Sequence, residues 1–386
     1  MRYLALIVVS AMFMGTVAAC SGQPDTPAST AIAQLATPSL PATAAAPPTS
    51  TPTTPPTSTA TPTPAPTFTP TITAAPTRTP TPTPNPLTAY TIEGLREQDY
   101  PGGTIHVRWV ITTTNAYTRY YIDYPSYGPA VDLPAGAPAD SAQPLIITGV
   151  MQVPHGEGHF PVVILNHGYI APSRYWSGAD TWRAADYLAR SGYLTIAPDF
   201  RGWGQSDSGD NFFRTGLVID ILNLISSFPS LPQADPERVG MWGHSMGGGA
   251  TTKAITIDPR IKAAVLYAPV SADDTIVMRR WGRSTRGGSA DDPLRQAYRE
   301  AVRDQDFVHR TSPINYFHFV TAAVQIHQGT ADTTTPPRWS QAIRDGLEAA
   351  GKEVEYFSYP GQGHAFQGES WTLFMERVVA FFDGHL

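Results

Sequence analysis

Cysteine is almost absent from this 386-residue sequence, which contains only Cys20. A single cysteine cannot form a disulfide bond within the chain, and it cannot supply the several thiolates of a structural zinc site. Charged residues are also scarce, at 15% of the chain, with a net charge of -6 and no large basic cluster. The sequence therefore predicts no nucleic-acid partner.

Motifs that bind cofactors are missing as well, because the sequence contains no phosphate-binding loop and no dinucleotide fingerprint. His155, Glu157 and His159 are the one arrangement to weigh as a metal site, since alternate residues share one face of a strand. Pro154 and the intervening glycines instead favour a turn at this position. We therefore expect neither a metal nor an organic cofactor.

The N-terminal region has the composition of an export signal followed by a tether. Residues 3–17 form an apolar run after Arg2, shorter than the roughly 20 residues of a membrane-spanning helix, and small residues precede Cys20. This pattern resembles a bacterial lipoprotein signal, which implies that residues 1–19 are cleaved and that Cys20 carries lipid. An uncleaved membrane anchor is the alternative, and either one leaves the remaining chain extracytoplasmic and attached to the cell membrane or envelope. Residues 20–88, rich in Thr-Pro repeats, predict a disordered and extended tether.

Residues 243–247 read Gly-His-Ser-Met-Gly, between a short apolar run and a run of small residues. This context predicts a nucleophile elbow, a strained turn from strand to helix that exposes the hydroxyl of Ser245. An ordinary glycine-rich turn is the alternative. The backbone N–H of Met246 is then expected to stabilise an oxyanion, together with the N–H of Tyr169 in the loop after residues 161–165.

An acid and a base follow the serine in the order that such a site needs. Asp332 lies in a Gly-containing loop after the apolar run 322–326, and His364 lies in a Gly-flanked loop after the alternating residues 354–359. Loops at the carboxyl ends of parallel strands are where open α/β sheets place their sites. Ser245, Asp332 and His364 therefore predict a nucleophile, an orienting acid and a general base.

Four other polar residues are either alternative candidates for the acid or are expected to have structural roles. Asp273 and Asp274 follow an earlier strand and are the rival acids. His244 is expected to point away from the serine hydroxyl and to pack. His167 is expected to shape the backbone of its loop.

Residues 89–386 are long enough for one domain with a large core, and their pattern predicts an α/β fold. Two segments rich in β-branched and aromatic residues, 104–123 and 144–153, predict antiparallel leading strands. Strands and helices then alternate, which predicts a mostly parallel central sheet with helices on both faces. The predicted strands are 162–166, 193–197, 239–242 and 263–267, and the predicted helices are 173–190, 212–228 and 246–257.

Residues 271–310 interrupt this alternation, and we interpret them as a small lid or insertion over the site. The segment is polar and charged, with four arginines around Trp281: Arg279, Arg280, Arg283 and Arg286. These cations could bind a carboxylate of the substrate, but the polar and charged composition favours a solvated loop.

From about residue 145 to the C terminus, the chain resembles α/β hydrolases of the dienelactone-hydrolase and prolyl-oligopeptidase-type group. The motifs that carry the resemblance are residues 160–169, 197–202, 243–248, 312–316, 329–332 and 359–366. The resemblance implies the α/β-hydrolase fold and a serine hydrolase that cleaves small peptide or ester substrates through an acyl-enzyme.

Two departures bear on the substrate. The chain has no room for the β-propeller that prolyl-oligopeptidase-type peptidases usually carry, and it cannot form the disulfide of cutinase-like polyester hydrolases. A carboxylesterase or cutinase-like hydrolase of lipids or polyesters is the alternative function. A second alternative is a surface binding protein that keeps the fold without the reaction.

The lipoprotein interpretation predicts that cells supplied with labelled palmitate incorporate the label into this protein through Cys20. Replacing the thiol in Cys20→Ser is expected to abolish incorporation, which gel fluorography would measure. A wild-type protein without label, or label that survives the substitution, would contradict the interpretation.

Overall fold

The computed structural model describes residues 85–128, 144–281 and 293–386. The predicted signal, Cys20 and most of the predicted tether lie outside these residues, as do Arg283 and Arg286. Contacts divide the chain at Arg78, and every described residue belongs to the unit Thr79–Leu386.

A nine-stranded sheet forms the centre of the described unit. Its strands are β1 (His106–Thr113), β2 (Tyr117–Ser126), β3 (Leu145–Pro154), β4 (Phe160–Asn166), β5 (Leu194–Pro198), β6 (Ala234–His244), β7 (Ile261–Tyr267), β8 (Ala323–Gly329) and β9 (Val354–Tyr359). The order across the sheet is β1-β2-β3-β5-β4-β6-β7-β8-β9. The pairs from β1 to β5 in this order are antiparallel, and the remaining pairs are parallel.

Helices connect the strands and cover the sheet. They are α1 (Ile92–Glu97), α2 (Trp182–Arg190), α3 (Thr215–Ser227), α4 (Met246–Ile255), α5 (Asp274–Trp281), α6 (Pro293–Ala301), α7 (Gln305–Thr311), α8 (Pro337–Ala349) and α9 (Gly368–His385). The predicted antiparallel leading strands and mostly parallel sheet are confirmed.

Alternate residues of the central strands face two different cores, as the pleat of a strand requires. Val162 and Ile164 of β4 belong to a core with residues of α3, α4 and α8. Val163 and Leu165 of the same strand belong to a second core with residues of α2 and α9. Both faces of the sheet are therefore covered by helices, as the alternating sequence predicts, and residues 162–165 of β4 are all apolar.

The predicted helix at residues 173–190 is wrong in its first half. A short 3₁₀ helix (Pro172–Arg174) is followed by turns, and α2 begins only at Trp182. Gly178 and Asp180 have φ angles of 84° and 68°, in the left-handed region that interrupts a right-handed helix. This interruption directs the Asp180 side chain toward the loop after β4, with which it forms a hydrogen bond.

The described residues of the inserted segment, predicted as a lid or loop, are largely helical and share a small core with other parts of the chain. Tyr298 of α6 and Phe307 of α7 pack with Phe213 and with Leu87, which lies in a 3₁₀ helix (Pro86–Tyr90). At the end of α5, Arg280 donates a hydrogen bond of 2.7 Å to the carbonyl of Thr333, next to Asp332. The insertion therefore packs mainly against the N-terminal part of the described unit, and α5 supports the loop of the predicted acid.

One described segment, Phe212–Ser230, is long and apolar enough to cross a membrane. Its apolar window is 83% buried inside the protein, and the core helix of a soluble protein passes the same test. The segment includes α3, whose residues contribute to the core described above.

Candidate active site

Ser245 lies in a sharp turn between β6, which ends at His244, and α4, which begins at Met246. Its φ and ψ angles are 55° and -114°. A residue with a side chain adopts such a conformation at a cost of about 1–3 kcal/mol, which the surrounding structure must offset. Here the N–H of Ser245 donates to the carbonyl of Tyr267, and its own carbonyl accepts from Gly249 and Val270. The turn therefore has the strained backbone expected of a nucleophile elbow.

Gly247 allows the start of α4 to lie directly against β4. A Cβ atom at this position would come within 2.0 Å of the carbonyl oxygen of Asn166. Gly243 is equally confined, because a Cβ atom there would lie 2.4 Å from the carbonyl oxygen of Gly247. Both flanking glycines of the motif are thus required by close packing, and they bring Ser245 next to the loop that follows β4.

Asp332 and His364 form a hydrogen-bonded pair, with 2.8 Å between Oδ2 and Nδ1. The carboxylate is 3% exposed and also accepts hydrogen bonds from the backbone of Thr334, from the backbone and hydroxyl of Thr335 and from the Gln328 amide. Burial raises the pKa of Asp332, but the hydrogen bonds from His364 and Thr335 outweigh this effect and hold it at about 2. The acid is therefore an anion at neutral pH.

The rival acids are engaged elsewhere. Asp274 is 2% exposed and forms ion pairs with Lys253 and Arg214. Burial raises its pKa, but these two cations outweigh burial and the pKa is lowered. Asp273 accepts a hydrogen bond of 2.7 Å from the N–H of Thr275. The structure thus places Asp332, and neither rival, against His364.

The loop after β4 lies close to the elbow. A Cβ atom on Gly168 would come within 3.2 Å of the Ser245 Cβ, so the two segments nearly touch. Within the described residues, the backbone N–H groups of Tyr169 and Met246 have no protein acceptor. For Met246 this follows from its place at the start of α4, where helix N–H groups have no carbonyl partner in their own helix. Both predicted oxyanion donors therefore lie on the segments that meet at the serine.

Three aromatic side chains fix this loop. The indole N–H of Trp203 donates 2.7 Å to the carbonyl of Ile170, and its ring lies edge-on to Tyr169. The His167 ring is buried against the carbonyls of Gly168 and Asp199, which agrees with its expected role in shaping the backbone. Burial lowers the pKa of His167, and the hydrogen bonds to the two carbonyls only partly offset this effect.

His244 does more than pack, and here the sequence interpretation is incomplete. Its ring stacks on Tyr267 with 4.4 Å between centroids. Its Nδ1 also lies 2.9 Å from the carboxylate of Asp180, and its Nε2 lies 3.0 Å from the carbonyl oxygen of His364. No local signal in the sequence connects Asp180 with these residues, since 64 positions separate it from His244.

Metal donors are not gathered at this site. Among the residues that the structure describes, no group of three or more His, Cys, Asp or Glu side chains is arranged to hold a metal ion. His155, considered above as a metal ligand, follows β3 directly, and its ring lies 3.1 Å from the hydroxyl of Thr118 in β2.

Two curated proteins are similar to part of this chain. A putative carboxymethylenebutenolidase of Salmonella typhimurium is 26% identical over 193 residues, which span 47% of this chain and 60% of the relative. An uncharacterised 31.7 kDa protein of Escherichia coli is 29% identical over 136 residues, or 35% of this chain and 46% of that protein. The chain thus spans about half the length of the curated relatives it matches.

Solved structures share the fold. Acetyl xylan esterase 1 from a Thermoanaerobacterium species has a TM-score of 0.54 at 18% identity, covering 78% of this chain and 95% of that chain. A puromycin-hydrolysing peptidase from Mycobacterium tuberculosis has a TM-score of 0.50 at 21% identity, covering 63% of this chain and 37% of that one. These likenesses show the α/β-hydrolase fold.

A model of the prolyl oligopeptidase family matches residues 180–386, which contain the elbow, Asp332 and His364. Because the matched segment makes up more than half of the chain, this protein belongs to the prolyl oligopeptidase family.

Proposed function

We propose that the protein hydrolyses short peptide or ester substrates through an acyl-enzyme on Ser245. The observation that carries the proposal is the 2.8 Å contact between the buried Asp332 and the half-buried His364, whose backbone contacts His244, the residue before Ser245 in its strained elbow. A serine hydroxyl is a weak nucleophile unless a base lies within hydrogen-bonding reach, and His364 is the base that this arrangement supplies.

In this mechanism the two ring nitrogens of His364 have different roles. Asp332 is an anion and can only accept, so Nδ1 carries a hydrogen and Nε2 is left to take the proton of Ser245. The oxygen of Ser245 attacks the carbonyl carbon, and His364 then donates the proton to the leaving group. Water then attacks the acyl-enzyme while His364 takes its proton. His364 returns this proton to the oxygen of Ser245, and the carboxylic acid product is released. Asp332 stays ionised throughout and stabilises the imidazolium.

The backbone N–H groups of Met246 and Tyr169 are proposed to stabilise the tetrahedral oxyanion. Both belong to segments held in place by packing, so their dipoles are oriented before the substrate arrives. Oriented donors of this kind contribute roughly 3–4 kcal/mol each to the transition state.

A carboxylesterase acting on lipid- or polyester-like substrates is the second candidate. The similarity of the fold to acetyl xylan esterase 1 supports it, since the name of that protein denotes an esterase. We further propose that the enzyme works outside the cytoplasm, attached to the envelope through Cys20. The lipoprotein-like sequence around Cys20 supports this location.

A fluorophosphonate probe is expected to label the purified protein on Ser245, because the probe reacts with activated serine hydroxyls. Ser245→Ala should abolish labelling, as intact-protein mass spectrometry would show. Ser271→Ala, which removes another buried hydroxyl, is the matched control and should label normally. An unlabelled wild-type protein would favour the non-catalytic binding alternative.

Asp332→Asn is expected to lower kcat by roughly 10,000-fold, since an amide no longer selects the reactive tautomer of His364. Steady-state hydrolysis of an activated ester would measure the loss, with Asp273→Asn as the control of near-normal activity. The low pKa means that Asp332 loses its charge only as the pH falls through about 2. Activity lost in Asp273→Asn and retained in Asp332→Asn would reverse the assignment.

Peptide and ester substrates can be distinguished experimentally, because their leaving groups differ. Amide cleavage needs protonation of a poor leaving group, whereas activated esters need little such assistance. A peptidase is expected to cleave aminoacyl or dipeptidyl p-nitroanilides as well as p-nitrophenyl esters. Comparing kcat/KM for the two series would decide the matter, and activity on esters alone would favour the carboxylesterase.

A further inference from the structure

Asp180 occupies a strained position between the elbow and the oxyanion loop. Its φ angle of 68° is in the left-handed region, which is uncommon for aspartate and costs free energy. In this conformation one carboxylate oxygen accepts a 2.6 Å hydrogen bond from the N–H of Gly168. Both oxygens lie 2.9–3.0 Å from Nδ1 of His244. One carboxylate thus contacts the residue before Tyr169 and the residue before Ser245.

His244 extends this chain of contacts to the base. Its Nε2 lies 3.0 Å from the backbone oxygen of His364, while its Nδ1 faces Asp180. Both partners can only accept hydrogen bonds, so the ring satisfies both contacts only when each nitrogen carries a hydrogen. Such a ring is an imidazolium, and the contact with Asp180 is then an ion pair.

We propose that Asp180 and His244 are positioning residues, whose ion pair joins the oxyanion loop to the His364 loop behind Ser245. The proposal rests on the hydrolase function proposed above. Gly168 and His364 belong to loops after β4 and β9, on either side of the elbow. The pair therefore sets the distance between the oxyanion donors and the base without touching the substrate.

The charges that surround the His244 ring agree with this role. Asp180 and Asp332 are anions near the ring, Tyr267 stacks on it, and the His364 ring lies 4.7 Å away. Burial lowers the pKa of His244, but Asp180 and the His364 carbonyl outweigh burial, and the net shift is upward. Burial raises the pKa of Asp180, but His244 and Gly168 reverse the shift and hold it at about 2.

The sign of the pH effect follows from these shifts. His244 keeps its second hydrogen below its raised pKa and loses it as the pH rises through that value. The neutral ring then presents a lone pair to the His364 carbonyl, and the two acceptors repel each other. Asp180 stays ionised down to about pH 2, so His244 sets the alkaline limit of the contact.

Histidine side-chain NMR of the ¹⁵N-labelled wild-type protein tests the pair without any turnover. The resonance of His244, assigned through its loss in His244→Asn, is expected to show hydrogens on both nitrogens at pH 7. In Asp180→Asn the same ring should be neutral at pH 7. A wild-type His244 ring that is neutral at pH 7 would overturn the proposal, whether or not the protein is a hydrolase.

Kinetics test whether the pair positions the reacting groups. Small displacements of catalytic groups cost up to about 100-fold in rate. We therefore expect Asp180→Asn and His244→Asn to lower kcat roughly 10- to 100-fold with KM nearly unchanged. In the wild type, kcat should fall at alkaline pH as His244 loses its proton, and His244→Asn should lack this fall.

Two matched controls separate positioning from general loss of charge. Asp186→Asn removes another carboxylate of the same segment, and His385→Asn removes another histidine that contacts a carboxylate, Glu353. Both should keep the wild-type kcat and pH profile. Folded variants of Asp180 and His244 with wild-type kcat and pH profile would refute the positioning role. A wild type that neither turns over nor reacts with the probe would refute the proposed function instead, and the NMR result would still stand.

Discussion

The close approach of α4 to β4 is the constraint on which the site depends. Gly247 has no room for a Cβ atom beside the Asn166 carbonyl, so the helix starts almost in contact with the neighbouring strand. At this start of α4, Ser245 has a positive φ angle of 55°, and Met246 is the first helical residue, beside the loop after β4. The proposed nucleophile and one proposed oxyanion donor, Met246, therefore depend on one packing requirement.

The parallel part of the sheet gathers the remaining groups. β4, β6, β8 and β9 run in one direction, so the loops that follow them meet at one edge. Tyr169, Ser245, Asp332 and His364 follow these four strands in turn. Two apolar cores, one on each face, hold the strands in register. Because the strands are held rigidly, the short loops after them keep these side chains close to one another.

Local patterns in the sequence predicted the elbow, the acid and the base, since each lies in a glycine-containing turn or loop that follows a strand pattern. They failed where the determining contact is distant in the chain. Asp180 lies in a stretch that reads as helix, and its left-handed turn is stabilised by partners at Gly168 and His244. The insertion also reads as a polar loop, because its apolar residues become a core only when Leu87 and Phe213 join them.

The hydrogen bonds around Asp332 have a consequence for the motion of the base. Thr334, Thr335 and Gln328 together supply four donors to the carboxylate besides His364. If the histidine loop swings outward, the buried anion remains solvated by fixed protein dipoles, and the departure does not strand an unpaired charge. The charge of Asp332 therefore does not depend on His364 alone, because four of its five hydrogen bonds come from other groups.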